Sequence, residues 1–291
     1  VVILVIFYFL IKSLSSNWSQ IKEYNWDFNY PLLLASFVLA GLTYSVLAGV
    51  WKNILRQSGY VLSYSKMFKI WFISNLGRYI PGKVWQFLGM LYLLEKEKVP
   101  KSKSFSVAVL AQALSCMAGI LVMIAFLRYD FYQNLLSQSP WFLLVLILFV
   151  AGVITLIFYP QALQGVINWG LKLLKKEKIS LNYKPRNLLF YLLSYIGCWF
   201  LFGFCFLIFI KSIFPAPFNV YFGVTGAFAG SVTIGFLAFF TPGGIGVREG
   251  VLVALLSFYF PAPVATLIAL LSRLWITLVE VLLFFIALVL K

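Results

Sequence analysis

Five stretches of this chain run for about twenty residues or more with at most two charges each. They are Pro31 to Trp51, Ser104 to Leu127, Pro140 to Tyr159, Asn187 to Ile210 and Val264 to Leu290. At a rise of 1.5 Å per residue, about 20 residues cross a hydrocarbon core roughly 30 Å thick. Lipid offers the backbone no hydrogen-bond partners, so runs of this length predict helices. Composition agrees, since 63% of residues are hydrophobic and 11% charged, with a mean hydropathy of +0.97. The expected fold class is an all-α polytopic membrane protein, one transmembrane domain over residues 1–291. Val1 to Ile11 is apolar but about half the needed length. It reads as the tail of a span; a signal-peptide core is the alternative, although no charged region precedes it.

Two further apolar stretches are interrupted. Lys66 to Leu94 is split by Gly77 and Pro81-Gly82, and Tyr221 to Phe260 by Thr241-Pro242-Gly243-Gly244. The interruptions match at a constant offset of 161 residues, which pairs Pro81 with Pro242, Gly82 with Gly243, Gly89 with Gly250 and Pro100 with Pro261. Gly and Pro fix backbone geometry, so matches at these residues outweigh matches among leucines. The limbs of the first stretch are too short to span and suit a re-entrant hairpin with its tip near mid-bilayer. In the second, the limb Tyr221 to Phe240 is longer, and two full spans are the alternative. A duplicated, Pro-Gly-broken apolar segment points to a transporter-type site; common ancestry and packing alone are the plainer explanation.

The cations set a topology. With the loop after Trp51 placed in the cytoplasm, 15 of the 23 Lys and Arg fall inside, in three basic stretches and at Lys291. Only Lys12, Lys22, Arg128 and Lys211 fall outside, as the positive-inside rule requires. The repeats, approximately 30–127 and 187–290, are joined by the span at 140–159 and a basic cytoplasmic loop at 160–186. One odd span between them makes the repeats inverted, each with its own hairpin. Within the loop, Leu163 to Leu174 is amphipathic and is expected to lie on the inner membrane surface.

Arg78, Lys83, Arg248 and Arg273 lie inside apolar segments, together with Glu249 and Glu280. A charge at mid-bilayer costs about 2.5–3.5 kcal/mol even on the lenient insertion scale, so these groups must face the bundle interior and find partners. Arg273 and Glu280 are seven residues apart and share a helix face. Buried ion pairs, Arg248 with Glu280 or Arg273 with Glu249, are the structural reading. The functional reading is that four cations against two carboxylates leave positive charge for an anionic group such as a phosphate. A helix restarting after Pro-Gly presents unpaired N–H groups and the positive end of its dipole. Gly82, Gly243 and Gly244 would let an anion approach that backbone closely. Gln86, with Asn75 and Gln112, offers neutral hydrogen bonds, and Gly226 with Gly230 reads as helix packing.

Other chemistry is thinly equipped. The chain has no His, which removes imidazole ligation and proton relays. Cys116, Cys198 and Cys205 all fall within apolar segments, away from disulfide or zinc logic. No metal site and no cofactor is expected. Gly243-Gly244-Ile245-Gly246 lacks the strand and spacing of a nucleotide-binding loop. The net charge of +15 reads as topology and contact with anionic headgroups; nucleic-acid binding would need a basic soluble domain.

Asn75-Leu76-Gly77-Arg78-Tyr79-Ile80-Pro81-Gly82-Lys83-Val84-Trp85-Gln86, with Thr241-Pro242-Gly243-Gly244-Ile245-Gly246-Val247-Arg248-Glu249-Gly250, resembles the lysylphosphatidylglycerol synthase transmembrane-region family. These are flippase-like membrane proteins of bacteria and archaea, and the resemblance covers nearly the whole chain. In the best-known members this region is similar to a lipid flippase and is fused to a cytoplasmic domain that transfers an amino acid to phosphatidylglycerol. Only Lys291 follows the last span here, so aminoacyl transfer is not carried over. The resemblance implies a multi-pass protein of a prokaryotic cytoplasmic membrane that moves an anionic lipid or lipid-linked headgroup between leaflets. Its matching positions are Arg78, Pro81, Gly82, Pro242, Gly243, Gly244, Gly246, Arg248 and Glu249. A membrane-embedded transferase acting on a lipid or polyprenyl-phosphate headgroup, with Glu249 or Glu280 as base, is the alternative. A third reading is an anchor for a separately encoded biosynthetic partner.

The inverted arrangement makes a direct prediction. Single cysteines placed at Asn182 and at Ser257, in a background without Cys116, Cys198 and Cys205, should label with an impermeant maleimide from opposite sides of the membrane. Labelling from one side would remove the inversion.

Overall fold

A computed structural model of the chain describes residues 28–80, 85–126, 141–173, 178, 180, 183–238 and 241–290, together with Ser15. The stretch Val1 to Ile11, the first tip at Pro81, Gly82 and Lys83, and Asn182 lie outside the described residues. The described residues form ten α-helices, three 3-10 turns and no strand. The helices are α1 (Tyr30–Gln57), α2 (Tyr64–Asn75), α3 (Trp85–Lys96), α4 (Lys101–Phe126) and α5 (Trp141–Phe158), then α6 (Pro160–Leu173), α7 (Pro185–Lys211), α8 (Tyr221–Leu237), α9 (Val247–Leu256) and α10 (Ala262–Val289).

Local chemistry starts these helices where they start. The Asn29 side chain accepts from the Leu32 N–H at 3.1 Å, with Pro31 in the first turn of α1. Ser63 does the same for α2, accepting from the Lys66 N–H. Between Phe158 and Pro160 the axis turns by 111°, where proline can neither donate an N–H nor continue the α5 ladder. Beyond the turn, α6 buries Leu163 and exposes Val166 and Trp169, as a helix lying along a surface does.

Each half of the chain presents the same order of parts: long helix, shorter helix, 3-10 turn, short helix, long helix. In the first half these are α1, α2, the turn Leu76–Tyr79, α3 and α4; in the second, α7, α8, the turn Pro242–Gly244, α9 and α10. Five segments are long and apolar enough to cross a bilayer, namely α1, α4, α7, α10 and Phe218–Leu237; the bent pair α5–α6 makes a sixth if taken as one span. The chain is therefore an all-α polytopic membrane protein. At 12 residues each, α2 and α3 reach only about 18 Å, short of the roughly 30 Å of hydrocarbon. α9, with 10 residues, reaches about 15 Å.

α10 packs on α1, α2 and α9, while α7 packs on α1, α4 and α8. The contacts of α7 with α10, α8 and α1 are aromatic. Phe209 stacks on Trp275 with ring centroids 4.9 Å apart, Phe206 meets Phe228 at 4.6 Å, and Tyr44 meets Phe202 edge-on at 4.9 Å. Small residues set the spacing elsewhere. A Cβ on Gly230 would fall 2.3 Å from the Met123 sulfur, and one on Gly226 would press on Phe126, so both glycines let α8 lie against α4. Outside the spans, the Tyr183 hydroxyl donates to the Ile54 carbonyl at 3.2 Å and shares a 2.5 Å hydrogen bond with Ser58. Burial pushes this phenol up to about 12, so it stays neutral and tethers the end of α1 at any physiological pH.

The α7–α8 contact can be tested at Gly203, where an added Cβ would stand 2.6 Å from Cβ and Cγ2 of Thr225. A β-branched side chain cannot swing clear of that contact. Gly203→Ala should destabilise the protein by about 1–3 kcal/mol, read as a lower unfolding midpoint in detergent. Gly197→Ala on the same helix, with open space around its Cβ, should leave the midpoint unchanged or raised.

Candidate functional site

The two breaks meet. After α2 the chain tightens into the 3-10 turn Leu76–Tyr79, where Gly77 lies so close to the start of α3 that a Cβ would fall 2.6 Å from the Gln86 nitrogen. In the second break Gly243 and Gly244 take φ of 57° and 73°, values that an L side chain rarely adopts. Here the backbone crosses close to α8, and a Cβ on Gly244 would fall 2.6 Å from the Gly235 carbonyl oxygen. A Cβ built on Gly243 would sit 3.6 Å from the Tyr79 ring and 3.7 Å from the Arg78 carbonyl oxygen. Tyr79 and Gly243 are thus neighbours in the bundle interior.

Both breaks are tied to α10. Glu280, 2% exposed, accepts hydrogen bonds from the Tyr44 hydroxyl at 2.5 Å and the Tyr79 hydroxyl at 2.6 Å, and pairs with Arg78 Nη1 at 3.2 Å. Arg273, also 2% exposed, donates from Nη2 to the Gly243 carbonyl at 2.9 Å and stands 3.6 Å from Glu249 Oε1. The second contact is a charge pair beyond hydrogen-bond length. Between the pairs lies the Tyr79 ring, with the Arg78 and Arg273 guanidinium carbons 5.9 and 5.7 Å from its centroid.

These contacts correct one sequence expectation and support another. Arg273 does pair with Glu249, but Glu280 is taken by Arg78, not by Arg248. The start of α9 is also less open than expected, because Glu249 Oε2 accepts the Gly246 N–H at 2.6 Å. One of the end's own donors is thereby occupied by an internal carboxylate.

Arg248 is the exception. It is 7% exposed, its Nη2 has no hydrogen-bond partner, and among the described residues it has no ion pair. Its guanidinium carbon lies 5.5 Å from the centre of the Phe228 ring, a favourable face for a cation but not a neutralising one. Its Cβ rests against Gly235, where a side chain on α8 would come within 2.7 Å.

Arg78, Arg248, Arg273 and Gly243 line one cavity of about 170 Å³, together with Asn75, Gln86 and Gln112. Its remaining wall is largely aromatic, with Tyr44, Trp71, Tyr195, Trp199, Phe202 and Phe228. A cavity of about 150 Å³ accommodates benzene, so this one suits a headgroup-sized fragment and not acyl chains. Neither Glu249 nor Glu280 is among the described residues that line it. Gly244 is buried beside the cavity wall and Gly246 is exposed with open space around it; Pro242 opens the second turn. Tyr44, Tyr79, Tyr195 and Phe228 were not singled out from sequence. Only Tyr79 carried a signal, as the neighbour of Arg78 within the first motif.

The Arg78–Glu280 pair can be weighed by a double-mutant cycle. Removing one partner of a buried pair strands a charge, so Glu280→Leu should cost about 3–5 kcal/mol in unfolding free energy. Adding Arg78→Met should recover much of that loss, as measured by chemical unfolding in detergent. Additive losses would mean that the two side chains are not coupled.

Comparison with known proteins agrees with this architecture. No curated protein matches the chain at a significant level. Residues 1–283 match the family described as the lysylphosphatidylglycerol synthase TM region. With nearly its whole length matched and a helical bundle around two broken hairpins, the chain belongs to that family.

Proposed function

We propose that the protein moves an anionic lipid or lipid-linked headgroup between leaflets, with the headgroup's phosphate held at Arg248 between the two breaks. The observation that carries this reading is a buried guanidinium with no carboxylate partner on the wall of a headgroup-sized cavity. Three interior guanidiniums face two carboxylates among the described residues, and Arg248 holds the charge left over. A planar guanidinium presents paired donors that match phosphate geometry. Arg78 and Arg273, already paired, add positive potential from the same wall. Lys83 completes the set on the sequence reading. The acyl or prenyl chains stay in lipid, since the cavity has no room for them.

On this proposal the two halves are inverted repeats whose hairpin tips meet near mid-bilayer, a familiar basis for alternating access. The prokaryotic cytoplasmic membrane is the proposed location. The transferase reading is less well supported, because both candidate bases are engaged. Glu280 takes two phenol hydrogen bonds and Arg78, and Glu249 caps α9 beside Arg273.

The test is headgroup translocation in reconstituted vesicles containing a fluorescent anionic phospholipid. Arg248→Ala should reduce the rate at least tenfold with unchanged unfolding behaviour, and Arg248→Lys should retain part of it. Equal rates in wild type and both variants would discard Arg248 as the phosphate's partner.

A further inference from the structure

Four carboxylates fall among the described residues. Glu95 pairs with Lys101 and Glu97 with Lys66. Glu249 and Glu280 stand among the interior guanidiniums, and both are spent, on Arg273 and Arg78. The charge on Arg248 is therefore unbalanced whenever no headgroup is present.

The polar atoms left without partners on this cavity wall are all able to donate. They are Arg248 Nη2, Arg273 Nε, the Asn75 amide nitrogen and the hydroxyls of Tyr195 and Thr233. Guanidinium and amide nitrogens only donate. Buried polar groups are ordinarily satisfied, and a cluster of unused donors calls for an acceptor. Water can take up donors but cannot cancel a charge, and a guanidinium in a protein keeps its proton. A buried charge with no counter-charge is strongly disfavoured.

The space fixes the kind of anion. The cavity measures about 170 Å³, against the roughly 10–15 Å³ of such space that one water needs. A small ion fits there with part of its water shell. The wall is largely aromatic, with Trp71, Trp199, Phe202 and Phe228, and offers little to replace a tight hydration shell. The cost of stripping an ion from water falls as its radius grows. Bromide and chloride suit such a wall better than fluoride.

We infer that a monovalent inorganic anion of the chloride class occupies the cavity at Arg248 when no headgroup is bound. Resting on the proposed phosphate site, this makes the site an anion exchanger. The halide leaves as a singly charged phosphate ester enters, and the guanidinium is never left bare. The interior charge is the same before and after the exchange.

The full chain in maltoside detergent, washed free of phospholipid, tests this. The readouts are the unfolding midpoint and tryptophan fluorescence, since Trp71 and Trp199 line the cavity. Sodium chloride replaces sodium gluconate at fixed ionic strength. Wild type should show a saturable fluorescence change and a midpoint that rises with chloride, as for any ligand of the native state. Bromide should bind at least fivefold tighter than fluoride, with chloride between them. Arg248→Gln, similar in length but uncharged, should weaken chloride binding at least tenfold, and Arg248→Lys should stay within tenfold of wild type. Dimethyl phosphate should raise the apparent chloride dissociation constant in proportion to its concentration. The halide order and the competition are read on wild type alone, so a variant that fails to fold does not decide the matter.

No saturable chloride response in wild type, an equal response in Arg248→Gln, or tightest binding of fluoride would each overturn the halide site. The phosphate site stands in that event if dimethyl phosphate still raises the wild-type midpoint and does so less in Arg248→Gln. Chloride binding that dimethyl phosphate leaves untouched would overturn the exchange and the phosphate site together, with the halide site intact.

Discussion

Two opposite charges on one helix hold the centre of this bundle together. Arg273 and Glu280 are two turns apart on α10, so they project from the same face, and each engages a different broken hairpin. Glu280 takes Arg78 and Tyr79 from the first, and Arg273 takes the Gly243 carbonyl and Glu249 from the second. A chain broken inside a membrane protein exposes backbone groups that lipid cannot satisfy, so the ends need polar partners within the bundle. A single charge on α10 would be costly to bury. A pair of opposite sign, each matched from a different break, offsets that cost and joins the breaks at Tyr79. The surplus on Arg248 has meaning only against this background, because both nearby carboxylates are already committed.

The cavity follows from helix length. α2, α3 and α9 end well short of a full crossing, so their breaks fall inside the bundle and not at its surface. The polar ends of the short helices form one wall. The long helices α1 and α7, with α8, supply aromatic wall, through Tyr44, Trp199, Phe202 and Phe228. Space opens where the ladder of helix hydrogen bonds stops and bulky rings prevent closure. A site for a polar fragment in an apolar protein therefore arises from the same breaks that shorten the helices.

Much of the fold was legible in the sequence because bilayer thickness imposes a length that a run of apolar residues either meets or misses. α1, α4, α5, α7 and α10 fall close to the boundaries read from those runs, and the breaks fall at the glycine-containing turns around residues 77 and 243. The Arg273–Glu249 pairing was legible as one of two candidate pairings. The partner of Glu280 was not, since Arg78 lies 202 residues away and only packing decides whether it or Arg248 arrives. Tyr44 and Tyr195 were invisible for another reason. In a chain with 16 tyrosines, a phenol within an apolar run looks like any aromatic core residue until its hydroxyl is seen to reach a carboxylate or nothing at all. Geometry at Pro81, Gly82 and Lys83 lies outside the described residues, so their part in the site rests on the sequence reading.

The two breaks are not held equally, and this asymmetry bears on how a phosphate would act. Glu280 is gripped by two phenols and a guanidinium, all within 3.2 Å. Glu249 stands 3.6 Å from Arg273 and spends its other oxygen on the start of its own helix. In a medium of low dielectric an arriving anion competes most effectively where the internal carboxylate is weakly engaged. On the proposed reading that place is the second break, where Arg273 and Arg248 face the same cavity. The first hairpin would then serve as the fixed side of the site. The second, hinged on Gly243 and Gly244 and held by the looser pair, would be the side that responds when a phosphate takes Glu249's place beside Arg273.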